Sequence, residues 1–301
     1  MFVIAHLSDP HLGPIPEARL SELLGKRFFG MMNWISARRR NFGAATLKPL
    51  MDDLMAHAAD HVCVTGDLVN VSLPAEFDTG AAFLASLGPA DKVTVVPGNH
   101  DAYVRSAMHY HLERWAPFLA GDDSHPNTPV DVDAFPFVRR RGPVAIVGVS
   151  TAVPTAVFLA GGHVGRGQRA RLADLLRRLG EEGLFRAVMI HHPPVGARAF
   201  HRDLRDAEAV REVIGSAGAE LVMHGHDHRA SLGAIASAAG DIPVVGVPSA
   251  SAGPDDERGA GRYNLYRITG GPGAWRCEME TRGYAPGEAG VRVRDRRPIV
   301  G

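Results

Sequence analysis

Five short polar motifs in this chain carry side chains that can bind metal ions. They are rich in Asp, Asn and His: Asp9-Pro10-His11, Gly66-Asp67, Gly98-Asn99-His100-Asp101, His191-His192-Pro193 and Gly225-His226-Asp227-His228. Carboxylate, amide and imidazole groups are the ligands that suit divalent first-row metals such as Mn, Fe, Co, Ni and Zn. About seven such ligands exceed what one tetrahedral metal can use. This number favours two metal ions that share a bridging carboxylate.

Taken alone, each motif has a simpler explanation. An Asp–His hydrogen bond at a strand end is common, and the motif at 98–101 has the composition of a turn. The adjacent histidines at 191 and 192 suit the surface of a rigid, Pro-rich loop. The motif at 225–228 is more specific, because its alternate histidines lie on one face of an extended segment. The combination of all five motifs is what indicates a metal site.

Five of six short apolar runs directly precede one of these motifs, and such runs predict buried strands. The six runs are Phe2–Leu7, His61–Val64, Lys92–Val96, Val144–Val149, Ala187–Ile190 and Leu221–Met223. Helical patterns between them cover Leu47–His57, Pro74–Leu87, Gln168–Leu179 and Asp206–Ser216. Loops at the carboxyl ends of parallel strands converge on one crevice. We therefore expect the five motifs to meet in space.

The alternation of strands and helices predicts an α/β fold in which helices cover a largely parallel sheet. After His228 the pattern changes to strand-like segments at Ile242–Val247, Arg262–Ile268 and Trp275–Glu280. These segments predict a second, more antiparallel sheet that packs against the first. With no repeat or linker in the sequence, we expect a single domain over residues 1–283. The Gly-, Pro- and Arg-rich segment 284–301 is expected to be an irregular tail.

The composition argues against a nucleic-acid partner. Lys+Arg and Asp+Glu both number 33 in 301 residues, whereas a DNA-coating protein is usually more basic. Cys63 and Cys277 indicate no disulfide framework and fit a reducing compartment. The first residues have neither the basic start nor the long apolar run of a signal peptide. We therefore expect a cytoplasmic location.

Together, the five motifs resemble the five blocks of the calcineurin-like metallophosphoesterases, over residues 3 to about 250. The resemblance implies the αββα fold of that family, a two-sheet β-sandwich flanked by helices, and a dinuclear metal site. By position, it implies that Asp67 bridges the two ions. The implied ligands of the first ion are Asp9, His11 and His228, and those of the second are Asn99, His191 and His226.

Two departures narrow the resemblance. Three residues after the bridging Asp, purple acid phosphatases have Tyr and protein Ser/Thr phosphatases have Asp-Arg-Gly, whereas this chain has Asn70-Val71-Ser72. The Asp-Pro-His-Leu start and the His-His-Pro-Pro block are more similar to the class III cyclic nucleotide phosphodiesterases. Members of that group hydrolyse cyclic nucleotides, phosphodiesters or nucleotide-sugar lipids.

The resemblance therefore implies a phosphodiesterase or pyrophosphohydrolase that uses two divalent ions, which would be Mn, Fe or Zn. The expected substrate is a small phosphoester such as a nucleotide, a glycerophosphodiester or a nucleotide-linked lipid. Two such ions lower the pKa of a bridging water and clamp the attacked phosphate. One alternative is a pyrophosphohydrolase that cleaves UDP-diacylglucosamine at the membrane surface. Another is a binding module with this fold but no catalytic activity, and the presence of a residue at every metal position argues against it.

His100 resembles the family histidine that contacts phosphate and protonates the leaving oxygen. Its neighbour Asp101 is either the group that orients His100 or a simple turn residue. The expected substrate contacts are Asn99 and His100, together with His201 and Arg202, which lie in a basic segment just after the motif at 191–193.

An insertion at residues 19–40 lies between the first motif and the first long helix. Its apolar residues recur at helical spacing and are accompanied by Trp34 and by the basic residues Lys26, Arg27, Arg38, Arg39 and Arg40. One interpretation is a helix that covers the body of the protein. The other is contact with a lipid tail or a membrane surface, which would place the protein at the inner face of the membrane. The segment is similar to insertions in enzymes that cleave UDP-diacylglucosamine.

Overall fold

The computed structural model describes residues 1–34, 44–124, 130–196, 201–256, 258–288 and 290–301. Within these residues the strands form two six-stranded sheets. The first sheet has the order β12-β11-β10-β1-β2-β3, and its strands are β1 (Phe2–Leu7), β2 (His61–Val64), β3 (Val93–Val95), β10 (Arg262–Thr269), β11 (Arg276–Gly283) and β12 (Arg292–Val300). The second has the order β4-β5-β6-β7-β9-β8, and its strands are β4 (Phe137–Arg141), β5 (Val144–Gly148), β6 (Phe185–Met189), β7 (Leu221–His224), β8 (Ser231–Ile235) and β9 (Ile242–Gly246).

Seven α-helices occur in the described part of the chain. They are α1 (Lys26–Asn33), α2 (Ala44–Ala56), α3 (Pro74–Leu87), α4 (Met108–Arg114), α5 (Ala116–Leu119), α6 (Arg166–Glu181) and α7 (Ala207–Ala217). None of the described helices is long and apolar enough to cross a bilayer. The predicted helices at 74–87, 168–179 and 206–216 agree with α3, α6 and α7 to within about two residues.

Alternating side chains along the central strands show how the sheets pack. On β6, Ala187 and Met189 belong to the core between the two sheets, whereas Val188 belongs to a second core formed with α6 and α7. On β7, Met223 belongs to the core between the sheets and Val222 to the core with the helices. A strand that buries both faces must lie between two layers. The sheets therefore form a sandwich with helices outside it, as predicted.

The division of strands between the sheets differs from the prediction. The C-terminal strands do not form a separate antiparallel sheet, because β10 pairs antiparallel with β1 and so extends the first sheet. The prediction of an irregular tail at 284–301 is also wrong. Residues Arg292–Val300 form β12, which pairs antiparallel with β11 at the edge of the first sheet.

The insertion is described as far as Trp34, whose side chain is half-buried. A 3₁₀ turn at Leu20–Leu23 precedes α1. The rest of the predicted insertion, with Ile35 and the basic residues at 38–40, lies outside the described residues.

Candidate metal centre

The strand ends bring all seven predicted metal ligands together. Asp9 and His11 follow β1, Asp67 follows β2 and Asn99 follows β3. The other three histidines follow strands of the second sheet, with His191 after β6 and His226 and His228 after β7. The two sheets are joined at this point, because the backbone of Ser8 pairs with that of Ser249. The site therefore lies where the carboxyl ends of both sheets meet.

Two sets of ligands are centred on Asp67. In the first set, the Nε2 atom of His228 lies 3.2 Å from both Asp9 Oδ1 and His11 Nε2. In the second, His191 Nε2 lies 3.2 Å from Asn99 Oδ1. Asp67 Oδ2 lies 3.4 Å from His191 Nε2 and 3.9 Å from His11 Nε2. The Asp67 carboxylate thus occupies the position of a group shared by two ions.

Backbone carbonyls hold the histidine rings in the orientation that metal binding requires. His11 Nδ1 lies 3.3 Å from the Val69 carbonyl, and His191 Nδ1 lies 2.6 Å from the Thr65 carbonyl. His226 uses the other ring nitrogen, with Nε2 at 2.9 Å from the Arg202 carbonyl. A metal-ligating histidine typically donates its second N–H to such a carbonyl, which leaves the opposite nitrogen free of a proton. These bonds fit a metal site.

Asp9 gives a second indication that the residues fit a cation. Its Oδ2 accepts a hydrogen bond from the backbone N–H of His226. Its Oδ1 is buried and faces His228 Nε2 at 3.2 Å, an atom expected to bind the same ion, but without the geometry of a hydrogen bond. A buried carboxylate oxygen without a donor is costly unless a cation binds it. The structure therefore provides a buried oxygen that a metal ion would bind.

The backbone around the ligands is strained and closely packed. Asp9, His11, Asp67, His226 and His228 all have positive φ angles between 39° and 69°. Non-glycine residues rarely adopt this conformation, and such strain is concentrated at functional sites.

Two glycines allow the motifs to approach one another. A Cβ atom on Gly98 would collide with the carboxylate of Asp67, and one on Gly225 would collide with the side chains of Ser8 and Asp9. The glycines that precede Asn99 and His226 are therefore required by the packing of the site.

Neighbouring imidazoles keep the two acidic ligands ionised. Burial would raise the pKa of Asp67, yet the charges of His191, His100 and His11 hold that pKa well below its ordinary value. The pKa of Asp9 is also lowered, because His228 outweighs the effect of burial. Burial lowers the pKa of His226 well below its usual range, so its ring is neutral. Burial would lower the pKa of His191, but Asp67 raises it to about 10. Because metals bind ionised carboxylates and neutral imidazoles, a metal ion would have to displace the proton of His191.

His100 is placed to contact a substrate. Its ring is half-buried, stacks on Tyr103 at 5.4 Å between centroids and lines the cavity beside the ligands. Its Nδ1 lies 2.5 Å from the Asn70 backbone carbonyl, which orients the ring. The backbone N–H of His100 donates to Asp67 Oδ1 at 2.7 Å.

The predicted role of Asp101 as the group that orients His100 is wrong. Its buried carboxylate accepts hydrogen bonds from four backbone amides, those of Asp67, Leu68, Val69 and Gly98. It therefore fixes the loop that carries Asp67. Glu76, at the start of α3, holds the next part of that loop through the amides of Asn70, Val71 and Leu73.

His192 is close to His191 and His226 but is not placed as a ligand. Its Nδ1 lies 2.7 Å from Thr151 Oγ1 and its Nε2 lies 2.9 Å from the Ala160 carbonyl. Because both ring nitrogens have protein partners, neither is directed at a metal. The sequence assigned no metal to His192.

The ligands open onto a cavity of about 200 Å³. The predicted substrate contacts Asn99, His100, His201 and Arg202 line it together with Asp67, His226, His228, Phe158, Ala160 and Arg258. Sequence analysis did not identify Phe158 or Arg258. Neither belongs to a motif, and both reach the cavity on loops far from the ligands in sequence. The cavity thus joins the metal ligands to two arginines that suit a phosphate group.

Comparisons with known proteins agree with this geometry. The sequence model described as calcineurin-like phosphoesterase matches residues 2–230. No curated protein matches the sequence.

Several solved structures share the fold. A dimetal phosphatase from Danio rerio superimposes with a TM-score of 0.62 at 14% identity, covering 99% of this chain and 98% of that one. The purple acid phosphatase PPD1 from yellow lupin gives a TM-score of 0.55 at 14% identity, covering 99% of this chain and 53% of the lupin chain. A 5′-nucleotidase precursor from Thermus thermophilus gives 0.50 at 18% identity, covering 92% and 54%. At these identities the likeness shows the fold alone.

Proposed function

Because the chain belongs to the calcineurin-like phosphoesterase family, whose members are metal-dependent hydrolases of phosphoesters, we propose that it cleaves phosphodiesters or pyrophosphates with a dinuclear metal site. The observation that carries this proposal is the position of Asp67 Oδ2 between His191 and His11, one from each set of ligands. Asp9, His11 and His228 would hold one ion, and Asn99, His191 and His226 the other. When bound, two such ions would lower the pKa of a water molecule and neutralise the charge on the phosphate.

The protein's own side chains supply the remaining steps. Arg202 binds the phosphate oxygens at the mouth of the cavity, where a guanidinium can donate two hydrogen bonds at once. Arg258, whose guanidinium also pairs with Asp256 at 3.4 Å, adds positive charge there. His100 Nε2 donates a proton to the departing oxygen, because its Nδ1 is held by the Asn70 carbonyl. Phosphoryl transfer requires little beyond such positioning and charge neutralisation.

The environment of Asn70 supports a diester substrate over the two phosphatase branches. At this position purple acid phosphatases have Tyr and protein Ser/Thr phosphatases begin Asp-Arg-Gly. Here the Asn70 side chain donates to the Leu12 carbonyl at 2.8 Å. The backbone carbonyl of Asn70 contacts His100. Asn70 thus supports the site instead of supplying a catalytic group. This agrees with the resemblance to the class III cyclic nucleotide phosphodiesterases.

The preference for diesters is testable with two related substrates. After reconstitution with Mn²⁺, kcat/KM for bis-para-nitrophenyl phosphate is expected to exceed that for para-nitrophenyl phosphate by about tenfold or more, a difference of about 1.4 kcal/mol in transition-state stabilisation. Initial rates of nitrophenolate release give both values. The Asp67→Asn variant, purified identically, controls for a contaminating phosphatase.

The alternative outcomes separate the competing functions. A preference for the monoester would make the protein a phosphatase. Full metal binding with no turnover of either substrate would favour the catalytically silent binding module.

A further inference from the structure

Helix α1 presents its charged side chains inward and its apolar side chains outward. Lys26 Nζ donates to Thr155 Oγ1 at 2.7 Å and to the Leu159 carbonyl at 3.1 Å. Arg27 donates to the carbonyls of Val71 and Ser72 at 3.2 and 2.5 Å, in the loop that follows Asp67. Surface helices normally have the opposite orientation. The cations of α1 therefore anchor it to the loops around the metal centre.

The outward side of α1 forms an apolar surface with the loop at 158–159. Phe28 and Phe29 are 52% and 47% exposed and contact each other with ring centroids 5.7 Å apart. Phe29 also contacts Phe158, with centroids 5.6 Å apart. Leu159, the next residue, is 37% exposed. The three rings are in contact in the order Phe28, Phe29, Phe158. Together with Leu159 we call these side chains the apolar wall.

Phe158 connects the apolar wall to the metal centre. Its side chain is 79% exposed and also lines the cavity that contains Asp67, His100 and Arg202. Its φ angle is +66°, a conformation that costs a bulky residue free energy. Large aromatic side chains are seldom left so exposed unless a ligand or partner covers them. The wall therefore begins at the position where a phosphate group would lie.

We propose that the substrate is an amphiphilic phosphodiester or pyrophosphate whose acyl or alkyl chain lies on the apolar wall. This inference rests on the hydrolase function proposed above and specifies its substrate class, which includes nucleotide-linked lipids. A chain attached to the bound phosphate reaches Phe158 first and then Phe29, because these residues are in contact.

The apolar wall is continuous with the cavity. This favours an acyl or alkyl chain of the substrate, rather than an anionic membrane, as the occupant of the wall. The two cations of α1 are engaged with protein oxygens, so the described helix presents no charge to anionic head groups. An uncharged wall beside Arg202 and Arg258 suits a molecule whose phosphate or pyrophosphate group carries an apolar chain.

A series of alkyl para-nitrophenyl phosphodiesters tests the proposal, with methyl, butyl and octyl chains used below their micelle concentrations. Water adds its oxygen to phosphorus while the bond from phosphorus to nitrophenolate breaks, giving nitrophenolate and an alkyl phosphate. The leaving group is the same throughout, so only the chain varies. We expect kcat/KM for the octyl ester to exceed that for the methyl ester by about tenfold or more, since each buried methylene contributes up to about fourfold.

Phe29→Ser and Phe158→Ser should each reduce the octyl-to-methyl ratio to within about threefold of unity, because each removes a large part of the buried contact. Met55→Ser is the matched control. Met55 is 46% exposed on α2 and lies outside the apolar wall, so this variant should keep the wild-type ratio. The ratio compares two substrates of the same variant, so a partial loss of folded protein does not change it.

Three outcomes would overturn the proposal. Equal kcat/KM for all chain lengths in the wild type would refute the substrate class and leave the hydrolase function intact. Equal rates combined with Phe29-dependent binding to phosphatidylglycerol vesicles would assign the wall to a membrane surface instead. If no ester were hydrolysed, the proposed function itself would fail, and the substrate inference with it.

Discussion

Replacing Asp67 with Asn is expected to remove both metal ions and to lower phosphodiester turnover by about 10⁴-fold or more. The substitution keeps the shape of the side chain but removes the charge that lies between His191 and His11. Even groups that only orient a metal ligand change metal affinity by about 10- to 100-fold. Loss of a ligand shared by two ions should therefore lower the affinity for each ion by at least about 100-fold. Elemental analysis and turnover at limiting Mn²⁺ measure the two effects.

The surface carboxylate of Asp52 provides the control. It pairs with Lys48 on the exposed side of α2, so Asp52→Asn should retain both the ions and the turnover. If Asp67→Asn kept two ions and most of its activity, the carboxylate would not bridge them.

His100→Asn should leave the metal content near normal and lower turnover of an alkyl diester by about 10²- to 10⁴-fold, the usual contribution of a positioned proton donor. The backbone N–H that donates to Asp67 Oδ1 is kept in this variant, so the carboxylate of Asp67 is still supported. The loss should be much smaller when the leaving group is para-nitrophenolate, since a stable anion needs no proton. The ratio of the two losses is the measurement.

Asp101→Asn gives a contrast for this experiment. Two amide donors would face an N–H₂ group where they now meet a carboxylate oxygen, and each unsatisfied donor costs about 1–3 kcal/mol. We expect lower stability and lower metal content, with no dependence on the leaving group. An equal loss for both leaving groups in His100→Asn would assign His100 to phosphate binding rather than to proton donation.

Sequence patterns predicted the elements that position the site because those elements have strong local signals. The strands at Phe2–Leu7 and His61–Val64 and the helix at Pro74–Leu87 have the predicted bounds. Each strand is a short apolar run followed by glycine or a polar residue, and its burial on both faces explains the absence of alternation. The ligands follow such strands, so their convergence could be predicted before their contacts were known.

The C-terminal strand could not be predicted in this way. β12 carries Arg292, Arg294, Arg296 and Arg297 and is largely exposed. Charged residues and proline are typical of edge strands, where they prevent association with other sheets, but the same composition is typical of irregular tails. Pairing with β11 decides between the two, and no local pattern in 284–301 encodes it.

The details of the site were also beyond the sequence. The motif at 98–101 indicated that Asp101 mattered, but its four bonds to the loops at 67–69 and 98 depend on tertiary structure. Phe158 and Arg258 reach the cavity by the path of their loops. Helical spacing in the insertion predicted α1, whereas the inward direction of Lys26 and Arg27 follows from oxygens supplied by distant residues.

The most direct test of the dinuclear site is elemental analysis of the purified protein, with turnover of bis-para-nitrophenyl phosphate measured on the same sample. The two ligand sets around Asp67 predict about two transition-metal ions per chain, as in other two-metal sites. Turnover should be lost as a chelator removes the ions and should return when Mn²⁺ is added back. Full turnover in excess chelator, with no metal found in the protein, would contradict the account.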